Sequence, residues 1–347
     1  MKNVYDLNLA ELTEYLSLKG EPKFRAKQIY DNFVSGKSIS EMSNVSLKLK
    51  DELKKDFYDA PAKIIERHVS KDGTVKYLFS LADGNVVEGV VMNYKYGKTQ
   101  CLSTQVGCRM GCKFCASTLN GLVRNLTKGE MLFMIALANR DFGGTQKDRA
   151  ITNIVLMGSG EPLDNYDNVV DFLKEISSKD NLNVSLRNIS LSTCGLVDKI
   201  YSLADENLPV NLTVSLHAHS DEQRRLIMPI ANKYSVSEIL KACRYFFEKT
   251  GRRFIFEYSL VKGVNDSDDD ALALSKLLKG LPCHVNLIRL NEVKESSLKK
   301  TDDKRAYSFC EKLNALSISA TVRRLMGSDI EGACGQLRNK YIGGHDN

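Results

Sequence analysis

The chain has 347 residues, 43% of them apolar and 27% charged, with 49 basic against 43 acidic side chains and a net charge of +6. That apolar fraction is enough for a sizeable core, and the length suits one large domain with a smaller one beside it. The mild positive charge permits an RNA partner, but it excludes a simple basic arm, because the first 60 residues hold ten basic and ten acidic side chains.

Residues 1–61 read as an N-terminal helical domain. Helical apolar spacing runs through 10–16, 24–33 and 47–57, punctuated by Gly20, Gly36 and Pro61. Lys19, Lys23, Arg25 and Lys27 form a local basic group there, which on charge alone reads as a solvated helix face. The opening segment lacks the apolar core of a secretory leader, and the longest apolar run, 131–138, is too short to cross a membrane. The nine cysteines are therefore expected as reduced thiols in a cytoplasmic protein and not as a disulfide frame.

Residues 62–100 read as a small β extension, with β-rich runs at 64–65, 74–79 and 86–94 and turn signals at Asp72-Gly73 and Asp83-Gly84. From residue 101 to 347, strands and helices alternate. Strands are expected at 101–105, 151–157, 187–192, 210–216, 254–261, 285–290 and 319–323, with helices at 128–139, 168–176, 237–248 and 269–278. Repeated βα units imply a parallel sheet with helical crossovers, an α/β architecture.

Chemistry-bearing residues cluster where these strands end. Cys108, Cys112 and Cys115 form a C-x3-C-x2-C triplet after the first strand. Three such thiolates can hold three irons of a [4Fe–4S] cube and leave the fourth iron open for a small molecule; a zinc site or an electron-transfer cluster are the plainer alternatives. Residues 158–162, G-S-G-E-P, follow the second strand. The two glycines would let the main chain approach a ligand closely, and Glu161 can accept a hydrogen bond from an ammonium group. Ser192 ends the third strand, Ser215, Leu216 and His217 end the fourth, and Asn291 follows the strand at 285–290. These suit a ribose, an adenine or a carboxylate. In barrels, functional residues gather at the C-terminal strand ends, so five coincidences point to one mouth. His217 and His219 beside cysteines are weak evidence for a metal; His217 reads better as cofactor wall. Cys194, Cys243, Cys283 and Cys310 read as buried and inert. Cys101, seven residues before the triplet, and Cys334, between Ala333 and Gly335 on an expected loop, stand apart from them.

The triplet with Phe114 before its last cysteine resembles the signature of radical SAM enzymes. The resemblance implies a partial (βα)6 TIM-type barrel and a [4Fe–4S] cluster on Cys108, Cys112 and Cys115. It also implies S-adenosyl-L-methionine (SAM) on the open iron, split by one electron to a 5′-deoxyadenosyl radical. The family's G-E-P stretch contacts the methionyl amine, which places Gly160 and Glu161 at the cofactor beside Ser192, Ser215, Leu216, His217 and Asn291.

Residues 20–340 resemble a narrower family, RlmN, the bacterial RNA adenine-C2 methyltransferases. The resemblance is carried by GEPKFRAKQIY, VVEGVVMNY, CLSTQVGCRMGCKFC, GSGEPL, SLHAHSDEQRRLIMPI, HVNLI and DIEGACGQLR. The sister family Cfr methylates C8 of the same adenosine and usually carries Ala where Pro162 stands. The resemblance implies that Cys334 becomes an S-methylcysteine, that Glu88 is the proton acceptor, and that Cys101 resolves a protein–RNA adduct through a transient disulfide with Cys334. On its own, Glu88 would read as an exposed charge on an alternating strand. Also implied are two SAM molecules per turnover, 23S rRNA and tRNA as substrates, a flavodoxin-type electron donor, no membrane, and a monomer.

Overall fold

The computed structural model of the chain describes residues 3–291, 295–330 and 336–345. Three helices open it: α1 (Leu9–Leu18), α2 (Phe24–Val34) and α3 (Leu47–Asp56). Asn8 and Glu11 form a reciprocal capping box on α1, which satisfies amides that a first helical turn leaves open. An antiparallel meander follows: β1 (Ala62–Val69), β2 (Val75–Leu81), β3 (Val86–Tyr94) and β4 (Gly97–Leu102). Its first two turns use Gly73 and Gly84 at positive φ, the conformation for which a side chain is costly.

β4 then begins the parallel part. After a separate two-stranded ladder of β5 (Gln105–Gly107) and β6 (Leu122–Asn125) come β7 (Ile151–Leu156), β8 (Ile189–Thr193), β9 (Asn211–Ser215), β10 (Phe254–Leu260), β11 (Cys283–Arg289) and β12 (Ala320–Val322). The large sheet has ten strands in the order β1-β2-β3-β4-β7-β8-β9-β10-β11-β12, and every pairing from β4 to β12 is parallel. The crossovers are α4 (Lys128–Asp141), α5 (Tyr166–Ile176), α6 (Val197–Asp205), α7 (Asp221–Ile227), α8 (Val236–Thr250), α9 (Asp268–Leu278) and α10 (Asp303–Ala315), and α11 (Gln336–His345) follows β12. This is the parallel sheet expected from the alternation, and it is consistent with the partial barrel that the radical SAM resemblance implies.

One apolar core runs from Val4 to Ala320 and joins the N-terminal helices to the barrel. Tyr5 lies between Phe33 of α2 and Phe133 of α4, with ring centroids 4.2 and 4.4 Å away. Two glycines let main chain touch main chain at this joint. A Cβ on Gly36 would sit 2.9 Å from the Ala136 carbonyl oxygen, and one on Gly129 would sit 2.5 Å from the Tyr5 carbonyl carbon.

The strand expected at 101–105 is broken in two. β4 stops at Leu102, because the Thr104 and Gln105 amides both turn to the Ser159 carbonyl, at 2.9 and 3.2 Å. The break peels β5 off the sheet. Helices α6, α7 and α10 fall between the expected strands at positions the sequence did not single out, and α11 follows the last strand; α7 and α11 prove the more consequential for the site.

Candidate active site

All parallel strands end on the same side, and the expected motifs meet there. The cysteine loop lies between β5 and β6. Its main chain is pinned at three points: the Cys108 amide donates to the Gly121 carbonyl at 2.9 Å, the Cys115 amide to Cys112 at 3.0 Å, and the Lys113 amide to Ile227 at the end of α7 at 3.0 Å. Gly107 enters the loop at φ +79°, and a Cβ there would lie 2.0 Å from the Gly121 oxygen. Cys112, Cys194, Ile227 and Met228 form a buried apolar cluster, with Met110, Phe114 and Cys115 packed against it. Burial pushes the Cys108 thiol up to about 12, and it pushes that of Cys112 up as well, with the neighbouring cysteines adding to both.

The triplet, wrapped in apolar side chains on a pinned loop, suits an iron–sulfur cluster held by three thiolates.

The G-S-G-E-P loop follows β7, and its glycines meet the chain itself. A Cβ on Gly158 would lie 2.6 Å from the Ser103 amide, and one on Gly160 would lie 2.6 Å from the Gln105 Cβ. They press the loop against the chain's own β4–β5 segment. Glu161 is buried, and both its oxygens are engaged: Oε1 accepts from the Leu163 amide at 3.0 Å and Oε2 from the Cys194 amide at 2.7 Å. Burial raises its carboxyl, while these amides act against the rise. The side chain pins two loops together, so an approaching ammonium would meet a carboxylate already committed.

Ser192 and Ser215 converge on a residue the sequence did not flag. Glu257, in the middle of β10, accepts from Ser192 Oγ at 3.2 Å and Ser215 Oγ at 3.5 Å, and Arg323 lies 3.5 Å from its other oxygen. A charged residue inside F-I-F-E-Y-S-L was the available signal. Leu216 is fully buried, and its amide donates to the Glu257 carbonyl at 3.0 Å. His217 has φ +58°, unusual for a residue with a side chain. Its Nδ1 accepts from the Ser259 amide at 2.9 Å, and its ring stands edge-on to Phe114 of the cysteine loop at 4.9 Å. Burial, aided by the nearby Arg224 charge, lowers its pKa to about 3, so the ring is neutral. His219 turns away to Asp270, 3.0 Å distant. Asn291 is exposed just past the end of β11.

Glu88 and Cys101 occupy one face of neighbouring strands. Val90 pairs with Cys101, and Glu88 stands two residues from Val90, on the same side. Cys101 is buried among Val90, Met92, Tyr94 and Met157. Glu88 is also buried, contrary to its reading as an exposed charge: Oε2 lies 3.4 Å from the ammonium of the fully buried Lys76, and Oε1 accepts the Arg338 amide in the first turn of α11 at 2.7 Å. Asn339, next on α11, donates to the Ala116 carbonyl just past the cysteine loop at 3.1 Å. Cys334 lies outside the described residues, but the chain on both sides of it is anchored. Upstream, the Gly327 amide donates to Asp72 at 2.9 Å and Asp329 accepts the Lys71 amide at 3.1 Å. Of the cysteines read as inert, Cys194 and Cys243 are buried, Cys283 is buried against the core, and Cys310 is only half-buried.

Comparison with known proteins places this geometry. Residues 102–274 match the radical SAM superfamily, and residues 2–58 match the ribosomal RNA large subunit methyltransferase N-terminal domain. A probable dual-specificity RNA methyltransferase RlmN of Clostridium perfringens strain 13 is 54% identical over 346 residues, covering 99% of this chain and 98% of its own. Its counterpart in Clostridium novyi is 51% identical with 99% coverage of both. The chain belongs to the RlmN family. A solved radical SAM methyltransferase from Sphaerobacter thermophilus superposes with a TM-score of 0.91 at 40% identity, covering 97% of this chain and 99% of that one. As an RlmN-family member the chain is a SAM-dependent RNA methyltransferase that works with a [4Fe–4S] cluster. No helix among the described residues is long and apolar enough to cross a membrane.

Proposed function

We propose that the enzyme methylates C2 of adenosine, in the peptidyl-transferase centre of 23S rRNA and beside the anticodon of tRNA. The observation that supports this most is the placement of Glu88 and Cys101 on one face of adjacent strands, with the chain on either side of Cys334 tied to the same region. C2 of adenine is electron-poor and cannot attack a sulfonium methyl. When bound, the cluster and SAM supply the methyl group and a 5′-deoxyadenosyl radical. Cys108, Cys112 and Cys115 hold the cluster, and the loops bearing Gly160, Glu161, Ser192, Ser215, Leu216, His217 and Asn291 surround the SAM, with Glu257 orienting both serines. Cys334 carries the methyl as a thioether and presents it to the base. Glu88 accepts the proton leaving C2, with the buried Lys76 ammonium 3.4 Å from its carboxylate. Cys101, as its thiolate, then attacks the Cys334 sulfur of the Cys334–CH2–C2 adduct: a sulfur–sulfur bond forms, the sulfur–carbon bond breaks with its electron pair going to the methylene carbon, that carbon takes a proton to become the methyl group, and the methylated base departs. A dithiol reductant reopens the disulfide.

RNA is held by phosphate and shape contacts to the N-terminal helices and the β extension. Nucleoside mass spectrometry of 23S rRNA fragments and tRNA treated with the reconstituted enzyme tests the assignment. 2-Methyladenosine is expected. 8-Methyladenosine would move the enzyme to Cfr-type chemistry. Cys101→Ala is expected to accumulate a covalent protein–RNA adduct.

A further inference from the structure

Arg224 is the largest side chain with no solvent exposure, and no role proposed above uses it. It lies on α7, inside the S-L-H-A-H-S-D-E-Q-R-R-L-I-M-P-I segment. Its Nε donates to the Leu216 carbonyl at 3.1 Å, and Nη2 donates to Cys194 at 2.6 Å and Ser215 at 3.2 Å. These carbonyls fix the guanidinium behind the ends of β8 and β9. Nη1 is buried and finds no acceptor among the described residues. Among the described residues, no carboxylate forms an ion pair with Arg224. Burying such a cation is costly, and an unmet buried N–H adds to the cost.

The same helix is joined to the cysteine loop. Three residues after Arg224, the Ile227 carbonyl accepts the Lys113 amide, between Cys112 and Cys115. Cys194, whose carbonyl Arg224 holds, packs with Cys112 and Ile227 in one buried cluster. The guanidinium bonds the residue that packs on Cys112, and with no exposure it lacks the shielding water that would weaken a surface interaction. With no exposure, Arg224 cannot reach a diffusible ligand.

We infer that Arg224 is a fixed positive charge serving the iron–sulfur cluster, and that it raises the cluster's reduction potential. A cube carrying a core charge of two plus on three thiolates has a net charge of minus one, and one electron from an external reductant takes it to minus two. A permanent cation nearby stabilises the reduced form more than the oxidised one. Net charge around such clusters is a recognised determinant of their potential. Arg224 acts through the cluster, so it is a positioning residue and not a catalytic one. The inference rests on Cys108, Cys112 and Cys115 holding the cluster, which iron and sulfide content per chain tests separately.

The experiment is an anaerobic redox titration of the cluster-loaded protein, without SAM or RNA. Dithionite-poised mediators set the potential, and the electron paramagnetic resonance signal of the reduced cluster is followed. Arg224→Gln and Arg224→Met remove the charge and keep an unbranched side chain. Each is expected to reduce the ratio of reduced to oxidised cluster at fixed potential by about tenfold or more, a drop of 59 mV for a one-electron couple. Arg224→Lys keeps the charge but loses the planar fork, and is expected to stay within about threefold of the parent while melting at lower temperature. An unchanged potential in a folded, fully loaded neutral variant overturns the inference. So does an equal drop in the lysine variant, because geometry and not charge would then be responsible. If neither neutral variant retains the cluster, Arg224 is a clamp for the loop and the inference is likewise overturned.

Discussion

The two walls of the mouth are held by different kinds of contact. On the side of β7, β8 and β9, main-chain groups carry most of the load: the Lys113 amide on Ile227, the Cys194 and Leu163 amides on Glu161, the Ser259 amide on His217, and the carbonyls gathered by Arg224. On the side of β2, β3 and β4, side-chain carboxylates make the ties: Glu88 to Lys76 and α11, Asp72 to Gly327, and Asp329 to Lys71. On the first wall Glu161 and His217 are buried, and their contacts are fixed once the fold forms. On the second wall Asp72 and Asp329 are exposed, so water competes for the amides they hold. On the mechanism proposed above, the first wall suits a cofactor that stays in place, and the second suits a thiol that moves between the methyl donor, the RNA base and Cys101.

Removing the first wall's cargo has the largest effect. Cys108→Ala, Cys112→Ala and Cys115→Ala are each expected to abolish methylation and to lower bound iron sharply; full iron with full activity in any of them would assign the cluster elsewhere. On the second wall, Glu88→Gln is expected to slow methylation by about 10²–10⁴-fold. It also takes a counter-charge from the buried Lys76 and is expected to lower stability. Lys76→Met added to it is expected to restore stability in urea unfolding without restoring activity. If the double variant regains activity, Glu88 is not the proton acceptor.

His217 tests the first wall through pH. Its folded pKa of about 3 lies below the ordinary 6.5, so between those values the unfolded chain binds a proton that the folded chain does not. Stability from this group is fully present above pH 6.5 and is lost as the pH falls toward 3, by up to about 1.4 kcal/mol per pH unit. Subtracting the profile of His217→Gln from that of the parent isolates the slope, and a flat difference would mean that His217 binds its proton equally in the folded and unfolded chain. The smallest effect belongs to Asp72→Asn, at an anchor near the surface. Its carboxyl is held well below the usual range, first by the Gly327 amide. The substitution is expected to move the melting temperature by no more than about 2 °C while slowing adduct resolution several-fold. Quench-flow on the Cys334-linked RNA species would read this, and an unaltered rate would remove Asp72 from the control of that segment.

The sequence made the barrel legible because strand ends and motifs coincided, and because Asp72-Gly73 and Asp83-Gly84 announce their turns locally. The cysteine triplet was legible for the same reason: its ligands are close in sequence. Contacts assembled from distant positions were not. Glu88 looked exposed, since nothing local reveals that Lys76 and the start of α11 close over it. Glu257 was hidden inside an apolar strand, and its meaning depends on two serines from two other strands. The glycines of 158–160 were read as room for a ligand, and the neighbour they make room for is the chain's own Ser103 and Gln105.

The joint between the N-terminal helices and α4 has a consequence for substrate choice. Gly36 and Gly129 bring backbones so close that any side chain there would act as a wedge. On the reading that those helices grip RNA, the joint works as a ruler: it fixes the span between the gripped part of the RNA and the adenosine offered to the mouth. Two RNAs of unrelated sequence are then accepted for presenting an adenosine at the same distance from a surface the helices can hold, and a wedge at Gly36 would change that length before it changed the chemistry.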